Sequence, residues 1–159
     1  MAEVDAFRDR VEASRRRLAE LPRSGWGEPG PADPETGESW DRGHVLGHMA
    51  EMLPFWTAQV RGVLAGGGEI GRDERGWAER RQGIDHGRDA GGEELLKRVD
   101  DGISGLLTLL GELHDEDLGR KLVIHDSGST PTEVVLRTAL EQRLVGHIEA
   151  HLRQIEQAG

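Results

Sequence analysis

The sequence predicts an all-α protein: a four-helix bundle with long connections and a short extra helix between the second and third long helices. Three observations lead there. Four segments carry apolar residues three and four apart, the period of an amphipathic helix. No strand-type alternation competes with them. Four such stripes must bury their apolar faces on one another, and a bundle does that. The 159 residues read as one domain, 1–159, long enough to bury a core.

Helix one is expected over residues 3 to 21, where Val4, Phe7, Val11, Leu18 and Leu21 share a face and Pro22 stops it. Residues 22 to 39 are rich in proline and glycine and read as a loop, with Trp26 its only large apolar residue. Helix two runs from Ser39 or Trp40 to Leu64. Ser39 is the expected N-cap, and Asp41 favours the first turn. Its stripe is Val45, His48, Met49, Met52, Leu53, Trp56, Val60, Val63 and Leu64. Pro54 should kink it by removing one backbone hydrogen bond, and Gly66-Gly67-Gly68 ends it.

Residues 69 to 91 are a charged, glycine-rich connection with a short helix around Asp73 to Gln82, anchored by Trp77. Helix three is expected over Glu93 to Leu113, with Leu96, Val99, Ile103, Leu106, Leu107, Leu110 and Leu113 inward. A polar loop with His114, His125 and the turn Asp126-Ser127-Gly128 follows. Helix four carries a capping signature: Thr130 as N-cap, Pro131 at the first helical position and Glu133 closing a capping box. Its stripe is Leu136, Leu140, Leu144, His147, Ile148, His151, Leu152 and Ile155. The long connections allow a crossover between parallel helices as well as up-and-down packing.

Composition narrows the functions. There is no cysteine, which excludes disulfides, thiolate metal sites and a cysteine nucleophile; any thiol must come as a co-substrate. The net charge of -10 disfavours nucleic acid, which needs a basic face. The first twenty residues lack an apolar signal region, and no apolar run is long enough to span a membrane. A cytoplasmic location without a membrane partner is expected.

The chemistry lies in three histidines. His147 and His151 are four apart, one above the other on one helix face, and His48 lies in the stripe of helix two. A lone histidine on an apolar face is most often structural. The paired spacing and a third inward histidine shift the balance, because three imidazoles in an apolar core can satisfy one another by sharing a divalent cation. Three neutral nitrogens with one open position match a catalytic zinc site, and by ligand type nickel, copper or iron fit as well. His44 is read as a rim residue one turn before His48. Glu51, one turn after it, is the candidate to orient a ligand or take a proton. His86, His114 and His125 fall in predicted loops. Gly47 and Gly146 each precede a candidate ligand and suggest close helix approach there.

Two stretches resemble a known family. WDRGHVLGHMAEMLPFW, Trp40 through Trp56, is similar to the second-helix motif of the DinB/YfiT-like metalloenzymes, and GHIEAHLRQI within Thr130 to Ile155 is similar to their fourth-helix motif. The Leu-rich helix and the HDSGSTPTEVVL loop between them also fit. The resemblance implies a four-helix bundle holding a divalent metal, zinc or nickel, on His48, His147 and His151. Family relatives include bacillithiol S-transferases and a mycothiol-dependent maleylpyruvate isomerase. This implies transfer of a low-molecular-weight thiol to an electrophilic small-molecule substrate, and a homodimer. The sequence departs from the isomerase in having no second, C-terminal domain, and in His147 where a carboxylate is expected. Both favour a reaction other than isomerisation. The alternatives are a metal-dependent hydrolase at the same site and a non-catalytic, stress-related helical binding protein.

Overall fold

The structure, a computed structural model, describes residues 2–21, 29–32, 39–89, 91–126 and 130–157. The expected loop around Trp26 and the turn at Ser127-Gly128 lie outside the described residues. Four long helical runs form the bundle: α1 (Glu3–Ala19), α2 (Arg42–Leu64), α4 (Gly92–Glu112) and a C-terminal run. That run joins α5 (Leu136–Leu140), a π-helical turn (Glu141–Val145) and α6 (Gly146–Gln157). Their inward faces are those of the sequence stripes: Val11, Met49, Met52, Ile103, Leu106, Leu140, Leu144 and Ile148 are all fully buried. α2 passes through Pro54 as one helix.

Side-chain pairs give the direction of each helix. Arg10 reaches Glu141 and Glu149, and Arg17 reaches Glu156, so α1 and the C-terminal run are parallel. Arg15 meets Asp100, while Asp115 accepts from the amides of Glu3 and Val4, so α1 and α4 are antiparallel. Arg61 pairs with Glu112, and Leu53 packs where Gly102 has no side chain, so α2 and α4 are parallel. Arg42 donates to the carbonyl of Ile155, and His48 faces His147, so α2 and the C-terminal run are antiparallel. The connection from α2 to α4 is therefore a crossover between parallel neighbours, which the sequence left open.

That crossover holds α3 (Glu74–Asp89). It is a 16-residue helix, not the short one expected over Asp73 to Gln82. Asp73 caps it by accepting from the Gly76 amide at 2.8 Å. Gly83, which read as loop, serves close packing: a Cβ there would lie 2.7 Å from Cβ of Glu51 and 3.4 Å from the Gly47 carbonyl. α3 thus lies against α2 beside His48.

Strands are the second correction. β1 (Pro29–Ala32) and β2 (Ser39–Asp41) form an antiparallel pair. β3 (Glu69–Ile70) runs parallel to β4 (Lys121–Ile124), which pairs antiparallel with β5 (Thr132–Val135) in the register Lys121 to Val135 and Ile124 to Thr132. β5 occupies the positions read as the first turn of helix four. The Thr130 cap does not form, and the helix starts at Leu136. β-branched Thr132, Val134 and Val135 suit a ladder better than a helix end, and the opposite strand supplies its hydrogen bonds. Ser39, likewise expected as a cap, lies in β2, and Asp41 caps α2 instead.

Candidate metal centre

α2 and α6 bring the three histidines together. His48 Nε2 lies 3.3 Å from His147 Nε2, which lies 2.8 Å from His151 Nε2. One ligand atom from each falls within 4.8 Å of the other two. His48 is 4 % exposed; His147 and His151 are half-buried. Nitrogens sharing a tetrahedral cation at 2.0–2.1 Å would stand about 3.4 Å apart. The His48–His147 separation has that value. The His147–His151 pair is closer, at the distance of a direct N–H···N hydrogen bond. The donor set fits a divalent cation in number and type; the three ligand atoms lie within 4.8 Å of one another, and the rings must adjust to bring every pair to that spacing.

Burial holds all three imidazoles neutral, as metal ligation requires. His147 is pushed down to about 3, by loss of water first, then by His151 and by the guanidinium groups of Arg143, Arg80 and Arg72. His48 is pushed lower for the same first reason, with His151, Arg80, His147 and Arg72 adding to it. His151 is lowered by burial, against which its hydrogen bond to Gln154 works.

Arginines thus surround the cluster within an acidic chain, and little in the residue pattern announces them. Arg72 is 2 % exposed and forms a two-pronged pair with Glu51, Nη1 to Oε1 at 2.7 Å and Nη2 to Oε2 at 2.8 Å. It also donates to the Gly76 carbonyl and lies 4.1 Å from the Phe55 ring centre. Arg143 lies over Trp56 at 5.1 Å and pairs with Asp126, which also accepts from the Arg72 amide. Gly71 places Arg72: at φ +153 a Cβ would land 1.3 Å from the His125 carbonyl, so only glycine lets β3 turn here. Spacing could have pointed to Arg143 and Gln154, four before His147 and three after His151 on the same helix face. Nothing in the sequence pointed to Arg72.

The other expected site residues take different places. Glu51 stands one turn after His48, with both carboxylate oxygens accepting from Arg72. His44 completes a reciprocal cap: Asp41 Oδ1 accepts from the His44 amide at 2.8 Å, and the Asp41 amide donates to His44 Nδ1 at 3.3 Å. It turns toward the helix end and is outside the cluster. His125 lies 3.5 Å from Glu69. His86 and His114 are exposed, His86 on α3 and not in a loop. Gly146 meets its own π turn, not a neighbouring helix: a Cβ there would lie 2.6 Å from the Glu141 carbonyl.

Bundle and cluster together define the class, a DinB-like helical domain with a three-histidine centre that can hold a metal. The chain belongs to the mycothiol maleylpyruvate isomerase N-terminal domain family, whose model matches residues 7–147. Among solved structures it is similar to the mycothiol-dependent maleylpyruvate isomerase, at 13 % identity and a TM-score of 0.71, covering 98 % of this chain and 60 % of that one. It is also similar to an uncharacterized protein from Clostridium difficile 630, at 12 % identity and a TM-score of 0.64, covering 96 % of this chain and 93 % of the other. A protein from Streptococcus pneumoniae matches at 10 % identity and a TM-score of 0.61, covering 96 % and 88 %. These identities speak for the fold. The chain spans about three fifths of the isomerase's length. No curated protein matches it by sequence. Among the described residues no helix is long and apolar enough to cross a membrane.

Proposed function

We propose that this chain is a divalent-metal-dependent enzyme that transfers a low-molecular-weight thiol, of the mycothiol or bacillithiol type, to an electrophilic substrate at the three-histidine site. One observation carries the reading: three imidazole Nε2 atoms from two facing helices converge in an apolar bundle that keeps them neutral. His48, His147 and His151 would hold the cation, with zinc and nickel both suited by ligand type. A cation bound there would supply Lewis acidity, lowering the pKa of a thiol toward neutrality.

The chain's own groups do the rest. The three rings offer lone pairs and no charge, so the cation's positive charge is undiminished. Arg72, Arg80 and Arg143 add positive potential at the cluster, which favours a thiolate over a thiol. Glu51 serves in this reading by holding Arg72 beside the imidazoles, and the thiol's proton leaves to solvent. The family's name and that of the isomerase support mycothiol as the thiol. A homodimer is the assembly this reading expects.

Metal analysis of freshly purified protein tests it. About one equivalent of metal per chain is expected, lost in both His48→Ala and His147→Ala while far-UV circular dichroism stays helical. Unchanged metal content in both variants overturns the reading. A panel of thiols with electrophiles, run beside esters and amides, separates transfer from hydrolysis; turnover of the esters alone moves the assignment to a hydrolase.

A further inference from the structure

Both nitrogens of His151 are engaged. Nδ1 lies 3.0 Å from Oε1 of Gln154, and Nε2 lies 2.8 Å from His147 Nε2. An amide oxygen only accepts, so the hydrogen bond to Gln154 needs the ring proton on Nδ1. A neutral imidazole carries one such proton. Nε2 is then a bare lone pair, and it faces Nε2 of His147. An imidazole without this acceptor favours the other tautomer, with Nε2 protonated and its lone pair turned away from the cluster.

We propose that Gln154 is a positioning residue that fixes His151 in the Nδ1–H tautomer and so presents its Nε2 lone pair to the centre. Gln154 follows His151 by three residues, on the same face of α6, and is half-buried. Its role is that of an acceptor behind a ligand, which sets ring orientation and donor strength. The 2.8 Å contact then needs the opposite donor: in the metal-free protein His147 carries its proton on Nε2 and gives it to His151. His147 is the ring that must change tautomer when a cation enters. The consequence for metal affinity rests on the proposed function; the tautomer does not.

Side-chain 15N–1H correlation spectra of histidines in the metal-free full chain test this directly. His151 is expected protonated on Nδ1 and His147 on Nε2. Gln154→Leu should move the His151 proton to Nε2, and Gln154→Glu, which keeps the acceptor, should leave it on Nδ1. Zinc competition titrations of the same samples should show affinity about 10–100-fold weaker in Gln154→Leu and retained in Gln154→Glu. The opposite amide orientation would donate to Nδ1 and put the wild-type proton on Nε2, and that spectrum overturns the proposal. So does an unchanged tautomer in Gln154→Leu, or a zinc affinity there equal to the wild type's. If Gln154→Leu does not fold, the wild-type spectrum decides. If the wild type binds neither zinc nor nickel, the proposed function fails while the spectra still decide the tautomer.

Discussion

Mild acid should destabilise the metal-free protein, through the three imidazoles. Each is held below the ordinary histidine value of 6.5, with burial the first cause, and His147 reaches about 3. The unfolded chain takes up protons that the folded chain refuses. Stability is therefore full above about pH 6.5 and declines as pH falls toward the folded values, by about 1.4 kcal/mol per pH unit for each imidazole. For His147 alone, the step from 6.5 to 5 costs about 2 kcal/mol. His48 and His151 act in the same direction but are coupled to it, so the slope should correspond to between one and three protons. Glu141, held low by Arg10, titrates from 4.5 downward and stays outside this window. Urea unfolding of chelator-treated protein between pH 7.5 and 5 measures the slope, with His147→Gln beside it. The variant's slope should fall by about 1.4 kcal/mol per pH unit. Equal stability at both ends, or equal slopes in the two proteins, refutes the reasoning.

Two further outcomes follow from the same geometry. Arg72→Ala leaves Glu51 as a charge only 14 % exposed without its partner, and should lower stability by about 3–5 kcal/mol; a urea midpoint within error of the wild type's would show the pair to be dispensable. Gly146→Ala drives a Cβ into the Glu141 carbonyl at 2.6 Å and should cost about 1–3 kcal/mol. Because His147 is the next residue, it should also weaken zinc binding in a competition titration, whereas Gly111→Ala, in open space, should leave that binding unchanged.

The apolar stripes were legible because each helix buries one face, and burial imposes a 3.6-residue period on the residues that provide it. The strands were not, because they are short and half-covered. Yet Lys121–Ile124 and Thr132–Val135 are rich in branched residues and flank Asp126-Ser127-Gly128, a hairpin signal outweighed by the capping pattern at Thr130. Thr130, Pro131 and Glu133 have the right chemistry for a helix start, but the partner strand satisfies that backbone instead. α3 was shortened for the opposite reason. Gly76 and Gly83 lower helix propensity locally, while α2 lies so close that a side chain at Gly83 would strike Glu51. Tertiary packing decided what local preference argued against.

The histidine centre was legible for a subtler reason, and the sequence holds a sign of it that spacing rules pass over. Leu136, Leu140, Leu144, Ile148 and Leu152 recur at strict intervals of four, and all five are fully buried. At 3.6 residues per turn each step of four advances about 40° around the axis, and four steps advance about 160°. A regular helix would carry Leu152 nearly opposite Leu136 and could not bury both against one core. The π turn at Glu141–Val145 places an extra residue in the turn and takes up part of that drift, as π-bulges do. It ends at Val145, with Gly146 alone between it and His147. The register of His147 and His151 toward His48 is therefore set by a widened turn that the interval of four requires and that Gly146, at its end, allows. The same five apolar residues that close the core aim the two imidazoles.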